Sequence, residues 1–534
     1  MAVIKNPKGQ EVNFLLINSS GLSNRKNISQ SDFKALRQEL RSKALKVIHC
    51  HGVFDLLHPG HIAHLEEAKL LGDILVVSIT SSSYVNKGPG RPYFSDELRL
   101  QSLAALSCVD YVLLSENTTA LDILDVIQPD FYVKGQEYAN AENDVTQNID
   151  REAEKVRSYG GDIYFSSGIT FSSTKLLNNC FPVFPQGVKE FSQEFSTKYS
   201  FEKIRKMIDS MQDLKVLVIG DIIIDEYVFC TVQGLMSKDR ALSAKHERDE
   251  IYLGGSLAIA RHLANFSNNV TVCGIVGDEP NIHSRILEEL GCNMMLDLQF
   301  NQNFKTVTKR RFLERYGIRK EYHKLFSINY LPNEPSGDQL YRSMFYRKLE
   351  QNIGQYDLVV LADYGHGLVD QTVMDIVQEK ANFLALNCQT NSTNHGANLI
   401  TKYHRADMFT LDEKEIRLAL SSNTEDTHNL LIKLMKHFNG NTGWLTLGSL
   451  GSLSIDNNNS IEKTPALTLT VQDTVGAGDA FFALTSLCAC LKYPNPVGSF
   501  VGNIAGALAA NIMGNAQAVK KADLLKFAST ILNI

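Results

Sequence analysis

Gly52-Val53-Phe54-Asp55-Leu56-Leu57-His58-Pro59-Gly60-His61 is a glycine turn that closes on two histidines three residues apart. Residues 46–50 before it read as a short buried strand, and residues 59–71 after it as a helix. Both imidazoles then stand on one face of the first helical turn. The helix start adds free N–H groups and positive potential, which suits an anion. Together these groups favour the negative charge that grows on a phosphate under attack. Gly60 lets the backbone approach closely, and Gly52 permits a tight exit from the strand.

Outward from this turn, helix and strand patterns alternate. Strands are expected at residues 73–79, 111–114, 131–134 and 163–165, with helices at 94–105, 120–127 and 148–159. That alternation predicts a parallel sheet covered by helices on both faces. Residues 1–44 read as an N-terminal extension ending in a charged helix at 31–44. Residues 45–180 read as the first domain. Residues 181–212, with Pro182, Pro185 and Gly187, read as a linker carrying a helix at 201–211. A new α/β pattern begins at residues 215–219, and 213–534 read as one large domain.

The second domain carries Asp473-Thr474-Val475-Gly476-Ala477-Gly478-Asp479-Ala480, followed by an apolar run that reads as a buried helix. Small residues at such a start let backbone N–H groups converge on one oxyanion. Asp479 is then placed to take a proton from an attacking hydroxyl. Phosphoryl transfer depends mainly on positioning and charge stabilisation, which this loop supplies.

The chain has 534 residues, which predicts more than one domain, and its net charge of −6 argues against broad nucleic-acid binding. Its nine scattered cysteines contain no CxxC pair and read as reduced thiols. No apolar run is long enough to span a bilayer, and no signal peptide is evident, so a cytoplasmic location is expected. No histidine or cysteine cluster has zinc spacing. The stretch Met236-Ser237-Lys238 resembles the lysine loop of class I aminoacyl-tRNA synthetases, but it falls in a different domain from the His58–His61 turn.

With the motifs in place, residues 45–180 resemble the cytidylyltransferase-type nucleotidyltransferases, which have a Rossmann-like fold. The resemblance rests on Gly52, Phe54, Asp55, His58 and His61, then on Lys87 and Arg91, on Val133-Lys134-Gly135, and on Ser173 and Thr174. It implies that His58, His61 and Lys87 are catalytic, that Arg91 binds phosphate, and that Ser173 and Thr174 hold the leaving pyrophosphate. The stretch 165–171, shortly before Ser173, contains no arginine, which resembles the heptose-phosphate adenylyltransferase branch and implies ATP, with CTP as the alternative.

Residues 213–534 resemble the ribokinase-like (PfkB) sugar kinases, an α/β fold with a small β lid. Asp221 and Asp225, Gly254 and Gly255, and Lys309 and Arg311 match that family's substrate side. Thr474, Gly476, Ala477, Gly478, Gly448, Gly451 and Asn503 match its nucleotide side, with Asp479 as base. Asp412 and Glu415 match an element that organises Mg²⁺ through water.

The pairing of domains resembles bifunctional enzymes of ADP-heptose synthesis, in an order expected to be reversed. It implies a nucleotidyltransferase and a sugar or sugar-phosphate kinase, acting on sugar phosphates and nucleoside triphosphates. A homodimer, built through lid strands near residues 242–251 or 306–313, is also implied. Three positions depart from the kinase pattern: Ala258 replaces an asparagine, His366 a lysine, and Asn387-Cys388-Gln389 an Asp-Pro-Lys. They imply either a different sugar or a degenerate kinase domain that serves for binding or dimerisation.

Overall fold

The computed structural model describes residues 3–5, 11–13, 26–85, 91–136, 148–167, 184–239, 241–290, 294–316, 321–332, 339–391, 394, 396–467, 471 and 473–533. Lys87, Ser173 and Thr174 lie outside the described residues. The chain divides into two compact units, residues 1–183 with 533–534, and residues 184–532.

The first unit is built on a five-stranded sheet, ordered Tyr111–Ser115, Ile74–Thr80, Val47–Gly52, Phe131–Gly135, Asp162–Ser166. All of its strand pairs are parallel. Ile74–Thr80 and Tyr111–Ser115 are near-continuous apolar runs because both faces are covered. Strand order reverses beside Val47–Gly52, so the turn after that strand opens on the crevice where ligands bind in such sheets. The helix assigned from sequence to an N-terminal extension, observed as Gln30–Ser42, belongs instead to this core. Phe33 and Leu40 pack with Val47, Val76 and Leu113, and Arg37 donates to the Gln128 carbonyl and Asp130. Those three residues form one stripe at helical spacing, which is why the segment folds onto the sheet.

The second unit has a nine-stranded sheet, ordered Met295–Asn301, Asn269–Gly277, Lys215–Gly220, Leu358–Asp363, Leu384–Cys388, Met408–Asp412, Thr442–Thr446, Ser452–Asp456, Ile461–Thr464. Its first seven strands are parallel and the last two pair antiparallel. Again the order reverses beside the first strand in sequence, between Lys215–Gly220 and Leu358–Asp363. A separate four-stranded sheet of Leu242–Gly255, Ile222–Leu235, Val307–Tyr316 and Glu321–Tyr330 is the expected β lid. The expected linker holds a helix at Phe201–Asp209, near the expected 201–211, and a further helix at Gln186–Lys198; both lie within the second unit. Ser192 Oγ donates to the Ile531 carbonyl in the C-terminal helix, and Phe195 stacks on Phe500.

Arg99, on the helix Asp96–Ala104, pins the first unit at the C-terminal ends of two strands. Its buried guanidinium donates to the Val53 carbonyl at 2.7 Å and the Thr80 carbonyl at 3.0 Å, and pairs with Asp96 at 2.6 Å. Arg99→Met keeps the aliphatic stem but removes the donor to both carbonyls, while Asp96 keeps Ser82 N as a donor at 2.9 Å. The expected loss is about 2–4 kcal/mol. The single tryptophan, Trp444, is buried in the second unit, where its Nε1 donates to Ser499 at 2.9 Å. In urea, the Arg99→Met variant should therefore show an early component by far-UV circular dichroism while the tryptophan midpoint stays put. A matching fall in the tryptophan midpoint would refute independent unfolding.

Candidate active sites

In the first unit, the helix Pro59–Lys69 begins with proline at N1 and is capped by His58. His58 Nδ1 accepts from His61 N at 3.3 Å. Neutral His58 therefore carries its proton on Nε2. Burial pushes the His58 imidazolium below its ordinary range, favouring that neutral form. The His58 and His61 rings stack at 3.9 Å, and Phe54 meets His61 edge-on at 5.2 Å. A Cβ on Gly52 would stand 3.1 Å from the Phe54 ring, so the glycine makes room for that ring.

Asp55 holds this turn against a second loop. It accepts from Tyr93 N at 2.9 Å and Phe94 N at 3.0 Å, and Arg91 lies 3.5 Å away with its side chain only 3% exposed. Arg91, matched from sequence to a phosphate contact, is thus paired with a carboxylate of its own unit. Lys134 likewise pairs with Glu152 at 2.8 Å.

Sequence reasoning missed the anchors on the far side of the helix. His64 Nδ1 is 2.7 Å from Ser166 Oγ, and Glu67 accepts from Ser167 N at 2.9 Å and the Tyr164 hydroxyl at 3.1 Å. The signal was present, since His64 and Glu67 continue the three-residue spacing of His58 and His61.

In the second unit, Asp479 stands in the first turn of the helix Ala477–Cys490. Its Oδ1 accepts from the Tyr364 hydroxyl at 3.0 Å. Burial pushes the Asp479 carboxyl up to about 6, against the Tyr364 hydrogen bond and Lys309, which lower it. Gly476 caps the helix at φ +83°, and any Cβ there would overlap the Asn515 amide. Asp473 braces the loop, accepting from Val475 N, Gly514 N and the Tyr227 hydroxyl, each at 3.0 Å. Thr474 contributes its carbonyl, which accepts from Ala477 N at 3.3 Å, while Gly478 has open space around it.

The paired glycines serve the two acids. A Cβ on Gly254 would collide with the Asp225 carboxylate, and one on Gly255, at φ +57°, would stand 2.5 Å from the Asp221 carbonyl. Asp225 forms an ion pair with Arg311. Asp221 accepts from Tyr364 N, His366 N and Leu368 N, each at 3.2 Å. Asp221 and Asp225 are each 4% exposed. Burial and then Asp363 push the Asp221 carboxyl up to about 6. Lys309 stands among Asp225, Asp221 and Asp479, with its ammonium 5.9 Å from the Tyr364 ring centre. Asp363 is a hub that takes the Tyr403 hydroxyl at 2.7 Å and Lys402 at 2.5 Å.

Gly448 and Gly451 flank a short 3-10 turn at φ +57° and +94°. Asn503 donates to Ser452 Oγ at 2.7 Å, joining that turn to the helix Asn495–Ala509. Asn387 donates to the Thr410 carbonyl at 3.0 Å, and Ala258 is buried.

Asp412 and Glu415 form a reciprocal helix cap. Asp412 accepts from Glu415 N at 2.8 Å, and Glu415 accepts from Asp412 N at 2.9 Å and Thr390 N at 3.1 Å. Burial, then Asp412, pushes the Glu415 carboxyl up to about 8. Each Glu415 oxygen is thus engaged by one backbone N–H. Among the described residues no group of three or more His, Cys, Asp or Glu could hold a metal ion. Among them, too, no helix is long and apolar enough to cross a membrane.

Comparison with known proteins places these geometries. Residues 49–184 match the family described as cytidylyltransferase-like, and residues 329–491 the pfkB family carbohydrate kinases. The bifunctional protein HldE of Syntrophotalea carbinolica is 40% identical over 125 residues, which is 23% of this chain and 24% of that protein. HldE of Helicobacter pylori strain G27 is 43% identical over 109 residues, 20% of this chain and 24% of that protein. The chain thus spans 24% of the length of each of these curated relatives. Phosphofructokinase-2 from Escherichia coli in complex with potassium aligns over 60% of this chain and 99% of its own, at 13% identity and TM-score 0.47. Arabidopsis thaliana ribokinase complexed with ribose and ATP aligns over 59% of this chain and 99% of its own, at 17% identity and TM-score 0.46. The expectation of a reversed domain order is set aside, since the matches give the order within this chain and nothing in them makes it a reversal. The chain carries a cytidylyltransferase-like domain followed by a pfkB-family carbohydrate kinase domain.

Proposed function

We propose that this chain is a bifunctional transferase of nucleotide-sugar synthesis, of the ADP-heptose type. One observation carries the reading. In each unit, a helix that starts on a glycine-bearing loop presents groups suited to a reacting phosphate: His58 and His61 in one, Asp479 in the other.

In the first unit, the reaction is attack of a sugar 1-phosphate on a nucleoside triphosphate, with release of pyrophosphate. The Nε2–H of His58 and the ring of His61 stabilise the phosphate under attack. Asp55 positions the turn through Tyr93, Phe94 and Arg91. The roles of Lys87, Ser173 and Thr174 rest on the resemblance, as does the choice of ATP over CTP.

In the second unit, Asp479 takes the proton from the sugar hydroxyl as the γ-phosphate of ATP transfers. The backbone of Gly476, Ala477 and Gly478 receives the phosphate charge, and Lys309 supplies a cation. Asp225 with Arg311 faces the acceptor, whereas Asp221 acts by positioning the turn 364–368. Mg²⁺ belongs to the reading as an ion carried by nucleotide phosphates; no step is assigned through Asp412 or Glu415. A cytoplasmic location and a homodimer through the lid complete the proposal.

Asp479→Asn should reduce ADP release with sugar acceptors by at least about 10³-fold, leaving pyrophosphate release unchanged. ADP release equal in variant and unmutated protein would favour the reading of a degenerate kinase domain. The base must be ionised to act, and its carboxyl is held up to about 6. Phosphoryl transfer should therefore fall as the pH drops through about 6, nearly tenfold per unit beyond it. A flat profile from pH 7 to 5 would remove Asp479 from that role. His61→Ala should slow pyrophosphate release by about 10²–10³-fold while sparing the kinase, measured with ATP and CTP in parallel.

A further inference from the structure

The turn 364–368 carries a side chain that the kinase reading leaves without a role. His366 is 6% exposed, and its backbone N–H is held by Asp221 at 3.2 Å. Its Nε2 is shielded from solvent and has no hydrogen-bond partner among the described residues. The charged groups acting on the ring are Lys309 and Asp363. Lys309 is the cation that stands among Asp225, Asp221 and Asp479. Burial, then Lys309, pushes the imidazolium down to about 4, so the ring is neutral near pH 7. A buried neutral nitrogen without a partner destabilises the protein that holds it. Groups retained at such a cost are expected where a ligand completes the bond.

We propose that His366 is a specificity-determining residue of the acceptor pocket, whose Nε2 forms a hydrogen bond with an uncharged hydroxyl of the sugar. The inference rests on the kinase reading above. A hydroxyl both donates and accepts, so either imidazole tautomer finds a partner in it. A phosphate oxygen only accepts, and a neutral ring brings it no charge. The lysine that the kinase resemblance leads one to expect here would suit an anion; histidine in its place shifts the preference to a neutral group. A pocket built to bond a hydroxyl discriminates steeply against an analogue that lacks it.

The test uses the full chain with His366→Leu and His366→Gln. Thermal unfolding without sugar, followed by Trp444 fluorescence, should show a midpoint about 2 °C higher for His366→Leu, because the stranded nitrogen is gone. A lower midpoint would make the ring part of the scaffold and overturn the proposal. ADP release is then measured with ATP and ribose, mannose, fructose 6-phosphate and singly deoxygenated analogues of each. His366→Leu should raise the acceptor KM at least tenfold, leave the KM for ATP unchanged, and abolish the preference for one hydroxyl. His366→Gln, which keeps a donor and an acceptor, should recover most of that loss. Equal effects on ATP and sugar, or none on either, overturn the inference while the kinase reading stands. If no sugar gives ADP release above the Asp479→Asn background, the kinase reading fails and this inference fails with it.

Discussion

Asp221 leaves the first strand of the large sheet and accepts backbone N–H groups from Tyr364, His366 and Leu368, on the loop that follows the neighbouring strand. The carboxylate thereby bridges the crevice where the strand order reverses. Burial opposes its charge and the N–H donors support it, so the loop and the acid stabilise one another. Two consequences travel from this contact. Tyr364 is held where its hydroxyl reaches Asp479, and the His366 ring is set beside Lys309. Gly255 is the counterpart on the other side, since only a residue without Cβ lets its strand approach the Asp221 backbone.

The first unit solves the same problem with Asp55. That acid also follows the first strand, and it also accepts two backbone N–H groups from another loop. In both units an acid that looks from sequence like a ligand contact also joins two loops through backbone N–H groups. The groups proposed to face the chemistry stand elsewhere: His58 and His61 at the start of the helix that follows Asp55, and Asp479 on the separate helix Ala477–Cys490.

The layered α/β architecture and both helix starts were legible in the sequence, because each rests on local information. A parallel strand covered on both faces is a continuous apolar run, and a His-Pro-Gly-His or Gly-Ala-Gly-Asp turn announces a helix within a few residues. What was not legible is long-range pairing. Nothing near Arg91 identifies Asp55 as its partner, and nothing near Asp221 identifies the turn 364–368. The helix Gln30–Ser42 was taken for an extension because its charged face dominates its composition, while three residues decide its packing. Asp412 and Glu415 have capping-box spacing, and their reciprocal backbone bonds form that cap, a local feature that the sequence already carried.

The overlap between Gly476 and Asn515 reaches beyond the fold. A side chain cannot be added at 476 while the amide at 515 stays where it is. Any lineage that acquired a side chain at 476 must first have shortened or displaced the amide at 515, and it would still face a left-handed backbone at 476. The order of changes is therefore constrained as well as their identity: position 515 can change while Gly476 stands, and not the reverse.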